Sequence, residues 1–506
     1  MNFPRAESAD IGLLLEGTFP FVSGGVSSWV NQVIRGFPQY TFALIFIGSR
    51  AEDYGDAKYV LPDNVVHLET HYLHNRHAVP QVRPMHGDPA VFGDIKHLHE
   101  CFRFPETNPD GRETFKKLIP ELSANGGASL ETFLYSETAW DFVKDKYQKY
   151  CSDPSFVDYF WTVRSMHAPI WMLADIAENF IPVRAYHTVS TGYAGLLGAM
   201  LKEKNGCPLI LSEHGIYTKE RKIDLFQAQW VRDNRNVFQR DPTEISYFRQ
   251  LWIRFFQALG TRCYDSADHI VALFEANRLR QIEDGAPAER TRNIPNGVNV
   301  ARFAALRAQR PASPPPILCL IGRVVPIKDI KTYIRAMRTV VNRMPEAQGW
   351  IAGPEDEDPD YVDECRDLVN GLGLDGNIKF LGFQQMTELL PRIGLVVLSS
   401  ISEGLPLVLL EGFAAGVPAV STDVGSCRQL IYGLDEQDRA FGAAGGIVNI
   451  ADPQALAEAA LALLTDEAAW KAASEAGIRR VEAHYTQEQM FASYRAIYEE
   501  VTTWQA

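Results

Sequence analysis

The strongest constraint on the fold is a series of short, continuously apolar segments, each followed by a loop and an amphipathic stretch. Residues 11–15 read IGLLL; TFPFVSGG and VSSWVNQVIRGF follow, and then a second apolar segment, YTFALIFIG, at 40–48. A strand buried on both faces reads as an unbroken apolar run, and the 3.6-residue periodicity between two such runs is that of a helix. Strand–helix–strand is the unit of a parallel sheet. Further strands are expected at 184–187, in PLILSEHG (208–215) and in HIVALF (269–274).

Between about 70 and 180 the alternation breaks into aromatic, helical stretches such as WDFVKDKYQKY and FVDYFWTVRSMHAPIWML. These read as a helical elaboration of the first domain, either a larger core or a surface for a partner or acceptor. PASPPP (311–316) cannot continue a helix or sit in a central strand, so it marks a linker. The alternation then restarts through ILCLIGR, GWIAGP, IKFLGF, LVVLSS and PAVSTD, with helices between. The expected class is α/β: two Rossmann-like, doubly wound domains facing a cleft. The domains are read as 1–298 and 317–484, joined by a linker at 299–316. The amphipathic tail, 485–506, is expected to be a helix packing back toward the first domain.

A chain of 506 residues is too long for one ordinary core. With a net charge of −14, no basic face of the kind a nucleic-acid binder carries is visible in the composition, so an anionic ligand must be held by a few local cations. Seven cysteines are scattered singly along the chain, a pattern of reduced thiols rather than of a disulfide framework or a zinc site. No apolar run reaches the roughly 18–20 residues that span a bilayer, and the start lacks signal-peptide features. A cytoplasmic location is expected, with at most peripheral association at the inner membrane.

Ligands of such sheets bind beyond the carboxyl ends of the strands, so residues just after strands carry the information. Two motifs fail that test. GLGLDG (371–376) matches a dinucleotide pattern but follows a helix and precedes a strand, the reverse of the required order. Asp358-Pro359-Asp360 matches a metal-binding D-x-D but reads as the acidic start of a helix.

Other residues pass. Arg323 ends ILCLIGR and Lys328 precedes the next helix; a guanidinium fork and an ammonium point charge suit a phosphate. Surface cations are common, so this pair is weak by itself. In SSISEGLPLVLLEGFAAGVP, Pro406 starts a helix that leaves the N–H groups near Leu407 and Val408 free, an anion site. Glu403 precedes that helix and Glu411 lies inside it, roughly 7 Å along the axis. Carboxylates accept hydroxyls in pairs, so the two could hold a sugar and a ribose on either side of a diphosphate. Alternatively, one is an N-terminal and the other a solvent-facing glutamate of an ordinary helix. Gly24-Gly25, between a strand and a helix, lets backbone N–H groups approach a ligand, or is a simple turn. His214, after a strand, is either a ligand residue or a satisfied structural histidine.

Taken in order, these elements resemble the retaining, nucleotide-sugar-dependent glycosyltransferases of family 4, which have the GT-B fold. The match extends to NGV (296–298) and LGF (381–383). EGTFPFVSGGVSSWV, SEHGIYTKER and IGRVVPIKDIKTYIRAM are similar to the subgroup that builds Pel-type exopolysaccharide. The resemblance implies that Arg323 and Lys328 hold the donor diphosphate, Glu403 contacts the hexose and Glu411 binds the ribose. It implies that the Gly24-Gly25 loop closes over the diphosphate, that His214 lies beside the hexose, and that Gly382-Phe383 lies near the base. Arg323, Lys328, Glu403 and His214 would be the catalytic set. The first domain would be the acceptor side, and the second would bind the nucleotide sugar. The implied substrates are a UDP-sugar and a polysaccharide acceptor, with no metal or other cofactor, and with peripheral attachment to membrane synthase subunits. The same fold could instead make a small glycoside or disaccharide, or serve as a non-catalytic nucleotide-sugar-binding scaffold. Gly425-Ser426 and Gln429 depart from the commoner family pattern, so no donor contact is assigned to Ser426 or Gln429.

Overall fold

A computed structural model describes residues 3–74, 85–103, 110–123, 126–228, 230–235 and 244–503. The chain divides into two compact units, one of residues 1–293 with 495–506 and the other of residues 294–494. The division thus falls slightly before the expected boundary at 298. The stretch expected as a linker, 299–316, belongs to the second unit. There Arg307 donates to the Ala414 carbonyl and Arg310 to those of Leu390 and Ile393. The last helix, Gln487–Thr503, begins in the second unit and ends in the first.

In the first unit, seven strands pair in the order β3-β2-β1-β4-β5-β6-β7. They are β1 (Ile11–Glu16), β2 (Phe42–Gly48), β3 (Val65–Tyr72), β4 (Ala185–Thr188), β5 (Leu209–Glu213), β6 (His269–Ala272) and β7 (Thr291–Asn293). Every pair is parallel. The central strands are buried along most of their length, which is why β1 and β2 are almost wholly apolar, while β4 and β5 carry buried polar residues toward their carboxyl ends. β3 mixes His, Glu and Thr into its apolar positions, and β7 is the polar tripeptide TRN. Both are edge strands, so neither carries the apolar signature that marks the others. Between β3 and β4 lie five described helices: Pro89–Arg103, Gly111–Leu118, Leu130–Tyr135, Glu137–Tyr150 and Phe156–Asn179. They form the expected helical elaboration; residues 75–84, 104–109 and 124–125 of that stretch lie outside the described residues. Their buried faces, including Phe92, Phe115, Phe133 and Trp171, join the main core of this unit.

The second unit has six strands in the order β10-β9-β8-β11-β12-β13. They are β8 (Ile317–Ile321), β9 (Gln348–Ala352), β10 (Ile378–Gly382), β11 (Leu395–Leu398), β12 (Ala419–Thr422) and β13 (Gly445–Val448). These pairs are also parallel. In each sheet the strand order reverses beside the first strand, between β1 and β4 and between β8 and β11. That reversal opens a crevice at the carboxyl ends of the strands. Among the described residues, no helix is long and apolar enough to cross a membrane.

Candidate functional site

In the second unit, the reversal between β8 and β11 brings together the loops that follow those strands. Lys328 ends a short turn, Pro326–Lys328, after β8. Its Nζ lies 2.6 Å from Glu403 Oε1, in the loop after β11, and Ser400 Oγ donates to the same oxygen at 2.6 Å. The side chains of Lys328 and Glu403 are only 18% and 11% exposed, so solvent screens the pair weakly. Ser399 Oγ donates to the Lys328 carbonyl at 2.9 Å, tying the two loops a second time. Two distant motifs thus meet as one largely buried ion pair because parallel strands place their exits side by side.

The Glu403 loop is held from a third side. Gly425 adopts φ +53°, and a Cβ there would fall 2.2 Å from the Glu403 carbonyl oxygen and 2.4 Å from that of Gly404. Ser426 donates to the Gly404 carbonyl through both its N–H and its hydroxyl, at 3.0 Å each. Gln429 bonds Tyr485 Oη. Gly425 and Ser426 therefore shape the loop that presents Glu403. Gly425→Ala combines a left-handed backbone with a backbone clash and should cost on the order of 1–3 kcal/mol. A thermal-melting scan checks this; an unchanged Tm would show that the loop yields without loss.

Glu411 lies one turn into the helix Leu407–Ala414, whose first-turn residues Leu407 and Val408 follow the N-cap Pro406. It is not the solvent-facing glutamate of an ordinary helix. Burial pushes its carboxyl up to about 7, partly offset by the charge of Arg302. Among the described residues, no side chain donates a hydrogen bond to it. A carboxyl so shielded, with no side-chain donor among the described residues, keeps its acceptor capacity unused.

Arg323 pairs with a different carboxylate from that of Lys328. Its Nη1 bonds both carboxylate oxygens of Glu357, at 2.7 and 2.6 Å, in the loop after β9. Both partners are substantially exposed, so this pair contributes little and can exchange. Gly382 ends β10 at φ +61°, a conformation glycine adopts without strain, and its carbonyl accepts the Gly353 N–H at 2.8 Å. Phe383 next to it is 72% exposed, an aromatic face open to stacking. Asp358 is the N-cap of the helix Pro359–Gly371 and accepts the Tyr361 N–H; Gly373 forms the turn that follows. Both rejected motifs are thus capping structures.

In the first unit, His214 follows β5. Its ring packs edge-on against Trp29, with centroids 4.6 Å apart. Trp29 projects from the helix Gly25–Gly36, so it couples the Gly24-Gly25 helix start to the His214 loop. Burial lowers the His214 pKa to about 4, so the imidazole is neutral near pH 7. Its Nε2 is buried and lacks a hydrogen-bond partner. A buried polar atom without a partner is costly, so this nitrogen keeps an unused hydrogen-bonding position. At Gly24 and Gly25, an added Cβ would meet nothing within 4 Å. The packing of this unit therefore does not itself demand glycine there.

Glu213, just before His214, was not singled out by the sequence reading. Its buried carboxylate accepts from Thr191 Oγ1, the Tyr217 N–H, Tyr264 Oη and Gln281 Nε2 at 2.8–3.2 Å. Burial raises its pKa against those bonds. Glu16, which ends β1, accepts from Tyr217 Oη and the Ala194 N–H. Both are carboxylates closing apolar strands. That position is the signal that could have found them, and together they anchor the loop bearing His214.

A family model described as "Domain of unknown function (DUF3492)" matches residues 9–289, more than half of the chain. A second, "Glycosyl transferases group 1", matches residues 315–466. The chain belongs to the DUF3492 family and carries a group 1 glycosyltransferase domain. This DUF3492 member is 37% identical over 150 residues to an exopolysaccharide phosphotransferase of Streptomyces coelicolor, covering 29% of the chain and 14% of that protein. It is 26% identical over 256 residues to the lipopolysaccharide core biosynthesis glycosyltransferase LpsE of Rhizobium meliloti, covering 50% of the chain and 66% of that protein. The chain thus spans less than two thirds of the length of these curated relatives. The crystal structure of Anabaena Alr3699/HepE in complex with UDP-glucose superposes with a TM-score of 0.57 at 14% identity, over 97% of the chain and 99% of that structure. With two parallel-sheet Rossmann-like units and such a neighbour, the DUF3492 member has the GT-B fold.

Proposed function

We propose that the protein is a retaining glycosyltransferase of the PelF kind. It moves a hexose or N-acetylhexosamine from a UDP-sugar to a growing Pel-type exopolysaccharide chain without a metal. The carrying observation is the Lys328–Glu403 pair at the strand-order reversal of the second sheet, in the loop that leads into the Leu407–Ala414 helix. The bound UDP-glucose of Anabaena Alr3699/HepE and the exopolysaccharide role in the name of the Streptomyces relative support this donor and product class.

In this reading Lys328 turns from Glu403 to the donor diphosphate, and Arg323 exchanges Glu357 for the same group. The first-turn N–H groups of Leu407 and Val408 complete an anion site. Charge gathers on the diphosphate as the glycosidic bond breaks, and these donors, already in place once the sugar nucleotide is bound, stabilise it without further reorganisation at that moment. Glu403 accepts hexose hydroxyls, Glu411 the ribose hydroxyls, and Phe383 stacks on the base beside Gly382. The neutral His214 bonds a sugar hydroxyl through Nε2, and the Gly24-Gly25 backbone approaches the diphosphate. A leaving phosphate oxygen takes the proton of the acceptor hydroxyl, which attacks the face the diphosphate leaves. Glu403 and Glu411 are not a glycosidase pair, because such a pair flanks one bond. Attachment to membrane synthase subunits would be peripheral, at the inner face of the membrane.

Nucleotide release from UDP-glucose, UDP-N-acetylglucosamine, UDP-N-acetylgalactosamine and GDP-mannose, without added metal, tests the reading. Release from one UDP-sugar that disappears in an Arg323→Ala/Lys328→Ala variant supports it. Tight UDP binding with no turnover in the presence of acceptor oligosaccharide would overturn the catalytic claim. Gly24→Ala should leave Tm unchanged, since nothing lies within 4 Å of the new Cβ, yet lower turnover severalfold by obstructing the diphosphate. Unchanged kinetics would remove that loop from the site.

A further inference from the structure

The helical region between β3 and β4 holds a second convergence of reactive side chains. His97 and Cys101 lie four residues apart on the helix Pro89–Arg103, and so share one face. Asp110 stands at the N-cap of the next helix, Gly111–Leu118, yet its side chain caps no backbone N–H there. It is turned to the other two instead. His97 Nε2 lies 3.0 and 2.9 Å from the two Asp110 oxygens. Cys101 Sγ lies 3.7 Å from His97 Nε2 and 3.7 Å from Asp110 Oδ1. Among the described residues, this is the one group of three such side chains whose donor atoms converge.

The separations are informative. A tetrahedral zinc ion with bonds of about 2.0–2.3 Å holds neighbouring N, O and S ligands roughly 3.3–3.6 Å apart. The three atoms here are already within a few tenths of an ångström of that spacing. Gly111 permits the approach, since a Cβ at that position would sit 3.1 Å from Cys101 Cβ. Cys101 is buried, whereas the side chains of His97 and Asp110 are 40% and 56% exposed, so the open side of the cluster faces solvent. The nearby Arg262 cation is engaged by Asp265. An imidazole, a thiolate and a carboxylate select zinc or cobalt over magnesium or calcium.

We propose that His97 Nε2, Cys101 Sγ and one Asp110 oxygen form a zinc site that staples the helix Pro89–Arg103 to the start of the helix Gly111–Leu118. Binding displaces the protons of the thiol and of any imidazolium, and water completes the tetrahedron. A metal-free alternative, a His97–Asp110 ion pair beside a buried thiol, makes the opposite predictions.

The test uses the full-length protein, stripped with a chelator and titrated with Co²⁺. One equivalent should produce a thiolate-to-cobalt charge-transfer band, and one equivalent of Zn²⁺ should abolish it and raise Tm. Cys101→Ser should lose the band. Asp110→Asn, a change at an exposed position, should keep the metal-free Tm and lower Co²⁺ affinity at least about 100-fold. Absence of the band in the wild type, or its persistence in Cys101→Ser, overturns the site. So does an undiminished Zn²⁺-induced rise in Tm for Asp110→Asn.

Discussion

Lys328→Ala should lower kcat by about 10²–10³-fold, the usual cost of deleting one preorganised donor to a developing anion. The ammonium reaches its position from the loop after β8 and is held by Glu403 and by the Ser399 bond to its own carbonyl. Among the described residues, Ser400 alone would remain as a side-chain partner of Glu403 in the variant. A mostly buried carboxylate would then lose its counter-charge, so stability should fall by about 1–3 kcal/mol as well. Steady-state kinetics with the preferred UDP-sugar, together with a melt, separate the two effects. Lys328→Arg keeps the charge and should recover most of the stability but only part of the rate, because a planar fork replaces a point charge. Turnover near that of the wild type in Lys328→Ala would remove Lys328 from the chemistry.

Glu411→Gln should raise the donor KM by about 10- to 100-fold, since hydrogen bonds to a charged group contribute roughly 1.5–3 kcal/mol each. It should also flatten the pH dependence. Burial pushes the Glu411 carboxyl from its ordinary 4.5 up to about 7, so below that pH it is largely protonated and accepts hydroxyls poorly. The wild-type donor KM should therefore rise as pH falls through 7, and the variant should lack that inflection. Stability moves the other way. With a folded pKa above the unfolded one, the wild type loses stability as pH rises from about 4.5 through 7, by up to about 3 kcal/mol. Glu411→Gln should therefore melt higher than the wild type at pH 8, and equally at pH 4. A pH-independent KM in the wild type, or equal melting at pH 8, would contradict the assignment.

The strand-then-loop rule located most of the candidate residues before any coordinates, because a parallel sheet sends all its chemistry to one edge. Lys328, Glu403 and His214 lie in loops after strands, and Glu411 sits one turn into the helix that follows Glu403. The rule is silent on residues whose role lies in what they touch. Glu213, buried, and Glu16, half-buried, close β5 and β1 as acceptors, and Gly425 with Ser426 shapes a loop about twenty residues upstream. Trp29, an ordinary amphipathic-face residue in the sequence, is the wall against which His214 rests. The edge strands β3 and β7 escaped notice because one open side removes the need for an unbroken apolar run.

Composition and periodicity by themselves determined a two-domain α/β chain, because central parallel strands must be largely apolar and the helices between them amphipathic. They also determined which segments leave the carboxyl edges, since those follow directly in the chain. Only the tertiary structure decided the state of the charges. It pairs Lys328 with Glu403 across residues far apart in sequence, turns Arg323 to Glu357, and buries Glu411 until its proton is held near neutral pH. It also draws His97, Cys101 and Asp110 to one point. Such outcomes depend on distance and desolvation, which are properties of packed neighbours and not of spacing along the chain.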